Sequence, residues 1–202
     1  MILAIDGSYR DDGFTDKVVV KLKEEIESLG EKVEIVNLRD YPIEFCLNCR
    51  ECTQEPGDMP GECVQKDGMG NLISKIENAD GYILASPTNF NSVTAVFKRF
   101  MERLVVYAYW PWGSHAPTFR KAKSKKKKSI LVTSSAAPAI LARIAYGTLG
   151  QLKTASKTIG AEPVGIICAG MVSKNREPNL SENIIRKIKT KSSDLVNHIK
   201  NV

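Results

Sequence analysis

Five short apolar runs, separated by stretches of helical periodicity, restrict the folds open to this chain of 202 residues more than any other feature. They are ILAID (2–6), VEIVNL (33–38), GYILASP (81–87), SILVTSSAAP (129–138) and EPVGIICAG (162–170). Each has strand length, and none shows the polar alternation of a sheet with one wet face. Such runs belong to a parallel sheet covered on both sides, with the intervening helices as crossovers. Val18, Val19, Leu22, Ile26 and Leu29 share one helical face before a stop at Gly30. Leu72, Ile73 and Ile76 mark a helix that Asp67 could cap, and Val96, Phe100 and Leu104 mark the next. A helix over about 140–159 and a closing helix over about 181–198, begun by a Ser181 cap, complete the set. Right-handed crossovers then favour a doubly wound α/β sheet. No repeat or linker divides the chain, so residues 1–202 are expected to form one domain, with a Cys-rich insertion at about 41–66.

Composition narrows the setting. A hydrophobic fraction of 43% and a charged fraction of 26% are those of an ordinary globular protein, and no apolar run reaches membrane-spanning length. The opening MILAIDGS is too short before Asp6 to be a signal h-region, so a cytoplasmic location is expected. Five cysteines, an odd number without an export signal, argue against a disulfide framework and suggest metal or redox chemistry.

In an open α/β sheet, ligands bind beyond the carboxyl ends of the strands, near the point where the strand order reverses. The loops after the first, third and fourth runs are therefore the candidates: GSYRDDGFTD, SPTNFNS and TSSAAP. The first sets Ser8, Arg10, Gly13 and Thr15 around a helix start, where backbone N–H groups, hydroxyls and a guanidinium suit a phosphate. It is neither a Walker A loop nor G-x-G-x-x-G, and a polar capped turn with no ligand fits the same residues. The second places Pro87, Thr88, Asn89 and Phe90 where they could surround a flat heterocycle; the plain alternative is a turn with Ser92 as a helix cap.

Cys46, Cys49, Cys52 and Cys63 are spaced C-x2-C-x2-C-x10-C. The first three match the compact run of bacterial ferredoxins, whose thiolates hold a [4Fe–4S] cluster, whereas zinc more often takes separated C-x2-C pairs. Cluster, zinc and no metal all stay open on spacing alone. The run RKAKSKKKK (120–128) supplies seven of the 29 basic residues. It reads as a solvated loop, or as an attractor for a phosphorylated ligand such as NADPH. No zinc-finger or RRM signature accompanies it, so nucleic acid is not an expected partner. His115 and His198 are expected at the surface, and YAYWPWG (107–113) is expected to form a lid or, with Arg120 near it, a subunit contact, with core packing as the alternative.

Taken together these motifs resemble the flavodoxin-like NADPH-dependent FMN reductase family, including its iron–sulfur flavoprotein branch. GSYRDDGFT (7–15) resembles the family's Gly-Ser-Pro-Arg…Gly-Asn-Thr phosphate loop, and SPTNFNSVTAVFKRFMER (86–103) its Ser-Pro-x-Tyr-Phe-Gly-Ser…Lys…Phe…Asp-Arg segment. The cysteine stretch followed by QKDGM (65–69) resembles Cys-x-x-Cys-x-x-Cys…Cys…Asp-Asp-Met. Tyr9 stands where the family has proline, Phe14 where it has asparagine and Asn89 where it has tyrosine; SSAAP lacks the usual glycines, and the fourth cysteine follows later than in the family.

The resemblance implies a five-stranded sheet of order 2-1-3-4-5. Ser8, Arg10, Phe14 and Thr15 would hold an FMN phosphate, Pro87 to Phe90 would line the ring and ribityl chain, and Ser134, Ser135 and Ala136 would face the ring from the other side. It also implies a homodimer or homotetramer passing hydride from NAD(P)H through FMN to a small acceptor, with no catalytic side chain required because the flavin carries the chemistry. Two alternatives stand beside it: an iron–sulfur flavoprotein exchanging electrons with a ferredoxin-like protein, and a flavodoxin-like binding module that has lost FMN.

Overall fold

The computed structural model describes residues 1–174 and 178–201. Its elements run β1 (Ile2–Asp6), α1 (Phe14–Ser28), β2 (Val33–Asn37), α2 (Met69–Asn78), β3 (Gly81–Pro87), α3 (Ala95–Arg103), β4 (Ala108–Tyr109), β5 (Thr118–Phe119), β6 (Lys127–Ser134), α4 (Ala139–Ile144), α5 (Gly147–Thr158), β7 (Ala161–Ala169) and α6 (Glu182–Lys200). Five parallel strands form one sheet in the order β2-β1-β3-β6-β7. With the small β4–β5 ribbon set aside, this is the expected 2-1-3-4-5 order.

The continuous apolar character of the strands is explained by what covers each face. Successive side chains of a strand point to opposite sides. Leu3, Ile5, Tyr82, Leu84 and Leu131 pack with Leu72 and Ile76 of α2, Phe97 and Phe100 of α3, and Leu152 of α5. Their neighbours Ile2, Ala4, Ile83, Ala85, Ile130 and Val132 pack with Val18, Leu22 and Ile26 of α1 and Ile188 and Leu195 of α6. Ser181 caps α6 by accepting the Ile184 N–H, as its position suggested.

Two sequence expectations are corrected. The helix expected over 140–159 is broken into α4 and α5, because the Gly147 N–H leaves the helical ladder and donates to Asn91 O at 2.8 Å. The cap of α3 is Thr94 and not Ser92: the Thr94 hydroxyl oxygen accepts from Phe97 N, whereas Ser92 belongs to the turn before it.

Candidate functional site

β1, β3 and β6 lie side by side, so the loops beyond their carboxyl ends meet at one edge of the sheet. Thr15, in the first turn of α1, and Ser134, at the end of β6, are 119 residues apart in sequence, yet their hydroxyls lie 3.0 Å apart and buried. Thr88 donates its N–H to Ser134 O at 2.8 Å, and its hydroxyl lies 3.3 Å from that of Thr133. Thr94 donates to Gly7 O at 2.6 Å and thereby ties the second loop to the first. Of the residues expected in the site, Thr15, Thr88 and Ser134 are thus in mutual contact or share a backbone bond.

The others are placed as follows. Ser8 is buried and its hydroxyl donates to Arg10 O at 3.0 Å, folding the loop back on itself, while Arg10 is exposed. Gly13 occupies the N-cap of α1 without a side-chain cap, which leaves first-turn N–H groups open to an anion. The Phe14 side chain lines a neighbouring hollow of ≈ 340 Å³ between α1, the end of β7 and the start of α6. Ser135 donates its N–H to Ala169 O and its hydroxyl to Ala137 O.

Pro87 ends β3, and Asn89 and Ser92 exchange backbone hydrogen bonds of 2.9 Å across Phe90 and Asn91. Both central residues have positive φ, 46° and 62°, the requirement of a type I′ turn. Asparagine tolerates that conformation well. A phenylalanine does not, so this turn holds a fully exposed aromatic ring beyond the sheet edge in a strained backbone.

Sequence reasoning missed three supporting residues. Thr94 had a readable signal, since it directly precedes the apolar-periodic AVFKRF run. Gln151 accepts from Ser92 Oγ and Val93 N, each at 2.9 Å, and Thr148 donates to Thr88 Oγ1 at 3.0 Å. Both lie inside α5 and carry no local mark of that role.

Beneath the first loop is a carboxyl pair. Asp6 ends β1, is 1% exposed and accepts the Ser8 N–H at 2.8 Å. Burial, reinforced by the adjoining Asp16 carboxyl, pushes Asp6 up from 3.8 to about 8, against the opposing pull of the Ser8 N–H and Arg39. Asp16 Oδ2 pairs with Arg39 at 2.9 Å, whereas its buried Oδ1 has no donor unless Asp6 keeps a proton.

The cysteine segment forms a second cluster on the flank of α3. Cys46, Cys49, Cys52 and Cys63 all line one small enclosed pocket, together with Arg50, Gln65, Arg103 and Val106. Burial raises the Cys52 thiol to about 11, and the nearby Cys63, Cys46 and Cys49 thiols add to the effect. Asp67 forms a two-pronged pair with Arg103, at 2.6 and 3.0 Å, and accepts the N–H groups of Glu44 and Met69. Burial works against its ionised form, but these hydrogen bonds prevail and hold its carboxyl down at about 2. Gly68 is the N-cap of α2, so Asp67 contributes to that helix start only through the Met69 N–H.

The aromatic stretch closes over the cysteine insertion and not over the sheet edge, which corrects the expectation of a flavin lid. The Arg50 guanidinium lies between the Trp110 ring, 3.7 Å away, and the Trp112 ring, 4.3 Å away. Arg120 is buried, and its guanidinium bonds within the chain to the carbonyls of Val106, Gly57, Cys52 and Glu55. Gly61 passes so close that an added Cβ would lie 1.8 Å from Cys52 O. Gly61→Ala is therefore expected to lower stability by about 2 kcal/mol in urea unfolding.

The lysine run lies at the amino end of β6, opposite the candidate site, where Lys127 donates to Glu77 O and Lys126 to Lys121 O. That position removes it from any role in holding a ligand at the carboxyl edge. His115 and His198 are exposed, as expected. No helix among the described residues is long and apolar enough to cross a membrane.

An open parallel sheet of this order, with phosphate-suited and ring-suited loops at its switch point, defines a protein of the flavodoxin-like class. Residues 1–152 match the NADPH-dependent FMN reductase family, and the chain belongs to that family. An iron–sulfur flavoprotein of Archaeoglobus fulgidus is 36% identical over 109 residues, covering 54% of this chain and 47% of that protein. One from Methanocaldococcus jannaschii is 32% identical over 102 residues, covering 50% of each. The chain thus spans about half the length of the curated relatives it matches.

Among solved structures, an FMN-dependent NADH-azoreductase from Bacillus anthracis in complex with FMN superposes with a TM-score of 0.67. The identity is 15%, with 97% of this chain and 99% of that one covered. An archaeal flavodoxin superposes at 0.55 with 10% identity, covering 99% of each chain. At these identities the likeness establishes the fold.

Proposed function

We propose that this chain is an FMN-dependent oxidoreductase that takes hydride from NAD(P)H and passes electrons to a small acceptor such as a quinone or a free flavin. The observation that carries this reading is the convergence of Thr15, Thr88 and Ser134 at the carboxyl edge of the sheet. Family membership supports it. FMN, when bound, supplies the exchange between hydride and single electrons. The residues present fit it: Ser8, Arg10, Gly13, Phe14 and Thr15 would receive the phosphate at the uncapped start of α1. Pro87, Thr88, Asn89 and Phe90 would border the ring on one side, and Ser134, Ser135 and Ala136 on the other.

The chain would act as one flavodoxin-like unit in the cytoplasm, as a homodimer or homotetramer. Arg10→Gln, at an exposed position, is expected to weaken FMN binding about 10- to 100-fold in a fluorescence-quenching titration, through loss of a charge-assisted phosphate bond. Unchanged affinity would remove the phosphate from this loop. A colourless protein that rejects added FMN would instead favour a binding module.

The pocket shared by four cysteines favours a second cofactor and an electron-transfer role with a ferredoxin-like partner. Among the described residues no group of three or more His, Cys, Asp or Glu is gathered tightly around a single point. A [4Fe–4S] cube spreads its thiolates more widely than one ion does, and four thiols around a common hollow fit that donor set. Cys46, Cys49, Cys52 and Cys63 would hold it, and it would supply one-electron transfer. The relatives' name, iron–sulfur flavoprotein, supports this reading. Iron and sulfide analysis after anaerobic reconstitution tests it.

A further inference from the structure

We infer that Arg103 is the positioning residue that sets the electron affinity of the cysteine-held cluster, an inference that rests on the cluster reading above. Arg103 ends α3 and is 1% exposed, the bulkiest fully buried side chain among the described residues. A buried cation must be matched by acceptors. Three of its contacts are structural: the two oxygens of Asp67, and Glu44 O at 2.9 Å. These join the two ends of the insertion, since Glu44 precedes the first cysteine and Asp67 follows the last.

The fourth contact is different in kind. Arg103 Nη2 directs its remaining N–H at Cys63 Sγ, 3.5 Å away, and the guanidinium forms part of the wall of the four-cysteine pocket. The thiols are otherwise unequal: among the described residues Cys46 Sγ accepts only a backbone N–H, from Asn48 at 3.4 Å, and Cys49 is exposed. Cys63 is the ligand set apart by the ten-residue gap. It is also the one held by a rigid, charged donor that Asp67 cannot release without leaving its own carboxylate unpaired.

Hydrogen bonds to ligand sulfurs and the net charge around a cluster set its reduction potential. Reduction adds one electron and no proton, so one negative charge is gained beside a fixed N–H and a buried cation. Arg103 therefore favours the reduced state, and its side chain neither gains nor loses a proton in the process.

The arrangement also sets this group relative to the flavin loops. α3 is nine residues long, roughly 13 Å at 1.5 Å per residue, with Thr94 bonded to the first loop at its start and Arg103 bonded to Cys63 at its end. One rigid helix thus spans the two candidate cofactor sites.

The test is a spectroscopic redox titration of anaerobically reconstituted protein, with iron counted per chain. Arg103→Gln is expected to retain iron and lower the midpoint potential, shifting the oxidised-to-reduced ratio about tenfold (~59 mV for one electron) toward the oxidised form. Arg103→Lys, which keeps the charge but loses the fork, covers the case in which the glutamine variant fails to fold; it is expected to shift the same way by less. Lys66→Gln is the control, since Lys66 is also a cation near Cys63 but has a side chain 75% exposed; it is expected to leave the potential unchanged. A loaded cluster with an unaltered potential in the folded Arg103 variants would overturn the inference alone. A Lys66→Gln shift as large as that of Arg103→Gln would do the same, because diffuse charge would then account for it. Wild-type protein that takes up no iron would overturn both this inference and the cluster reading.

Discussion

Arg120→Met is expected to destabilise the cysteine insertion by about 3 kcal/mol and to speed labelling of the buried Cys52 thiol about 100-fold. The guanidinium donates to Val106 O at 3.1 Å, Gly57 O at 3.0 Å, Cys52 O at 3.4 Å and Glu55 O at 2.9 Å. Three of those carbonyls belong to the insertion, which has little secondary structure beyond one short 3-10 turn at Glu51–Thr53. With no ladder to satisfy them, the carbonyls of Cys52, Glu55 and Gly57 take their donors from this one side chain. Methionine fills much of the space and removes every donor, so the buried Cys52 carbonyl would be left unpaired, Val106 O would keep only the Gly61 N–H, and the more exposed Glu55 and Gly57 carbonyls would lose their tether. Urea unfolding and the alkylation rate of apo protein together check this. An insertion held mainly by its other contacts would show neither change.

The second large effect concerns pH. Asp6→Asn is expected to match wild type in stability near pH 4 and to exceed it by about 2 kcal/mol or more at pH 8. Below 3.8, Asp6 is protonated in both the folded and the unfolded chain. Between 3.8 and about 8, the folded protein keeps a proton that the unfolded chain has released, so wild-type stability falls as pH rises through this window. The slope from this one group approaches 1.4 kcal/mol per pH unit. Asparagine keeps both useful contacts, with its oxygen accepting the Ser8 N–H and its amide donating to the otherwise orphaned Asp16 Oδ1. It has no proton to lose. Urea unfolding at several pH values reads the difference, and parallel curves for the two proteins would sink the account.

Much of the fold was legible because its signals are local. The strand runs announce themselves by continuous apolarity, and the face of α1 by spacing. Ser181 is a cap readable from one position. The broken helix after β6 was not legible, because its break answers to Asn91, a residue in another loop. The candidate loops were identified for a topological reason, namely that they follow adjacent strands. Their supports at Thr148 and Gln151 were not, since nothing in a helical run shows which side chain will turn toward a loop some 60 residues earlier.

The cysteine segment shows the division most plainly. Spacing alone raised the question of a metal and left three answers standing. It did not show that Arg50 would be clasped by Trp110 and Trp112, or that the aromatic stretch would serve the insertion and not the flavin edge. Nor did it connect Arg103 to Cys63. What the sequence by itself determined was the layered α/β architecture, the family and the loops at the sheet edge, because periodicity and short motifs are properties of neighbouring residues. Only the tertiary structure decided which distant groups meet. Thr15 reaches Ser134 and Asp6 lies against Asp16 because whole helices and strands pack in one register, and no local pattern encodes the distances that packing leaves between them.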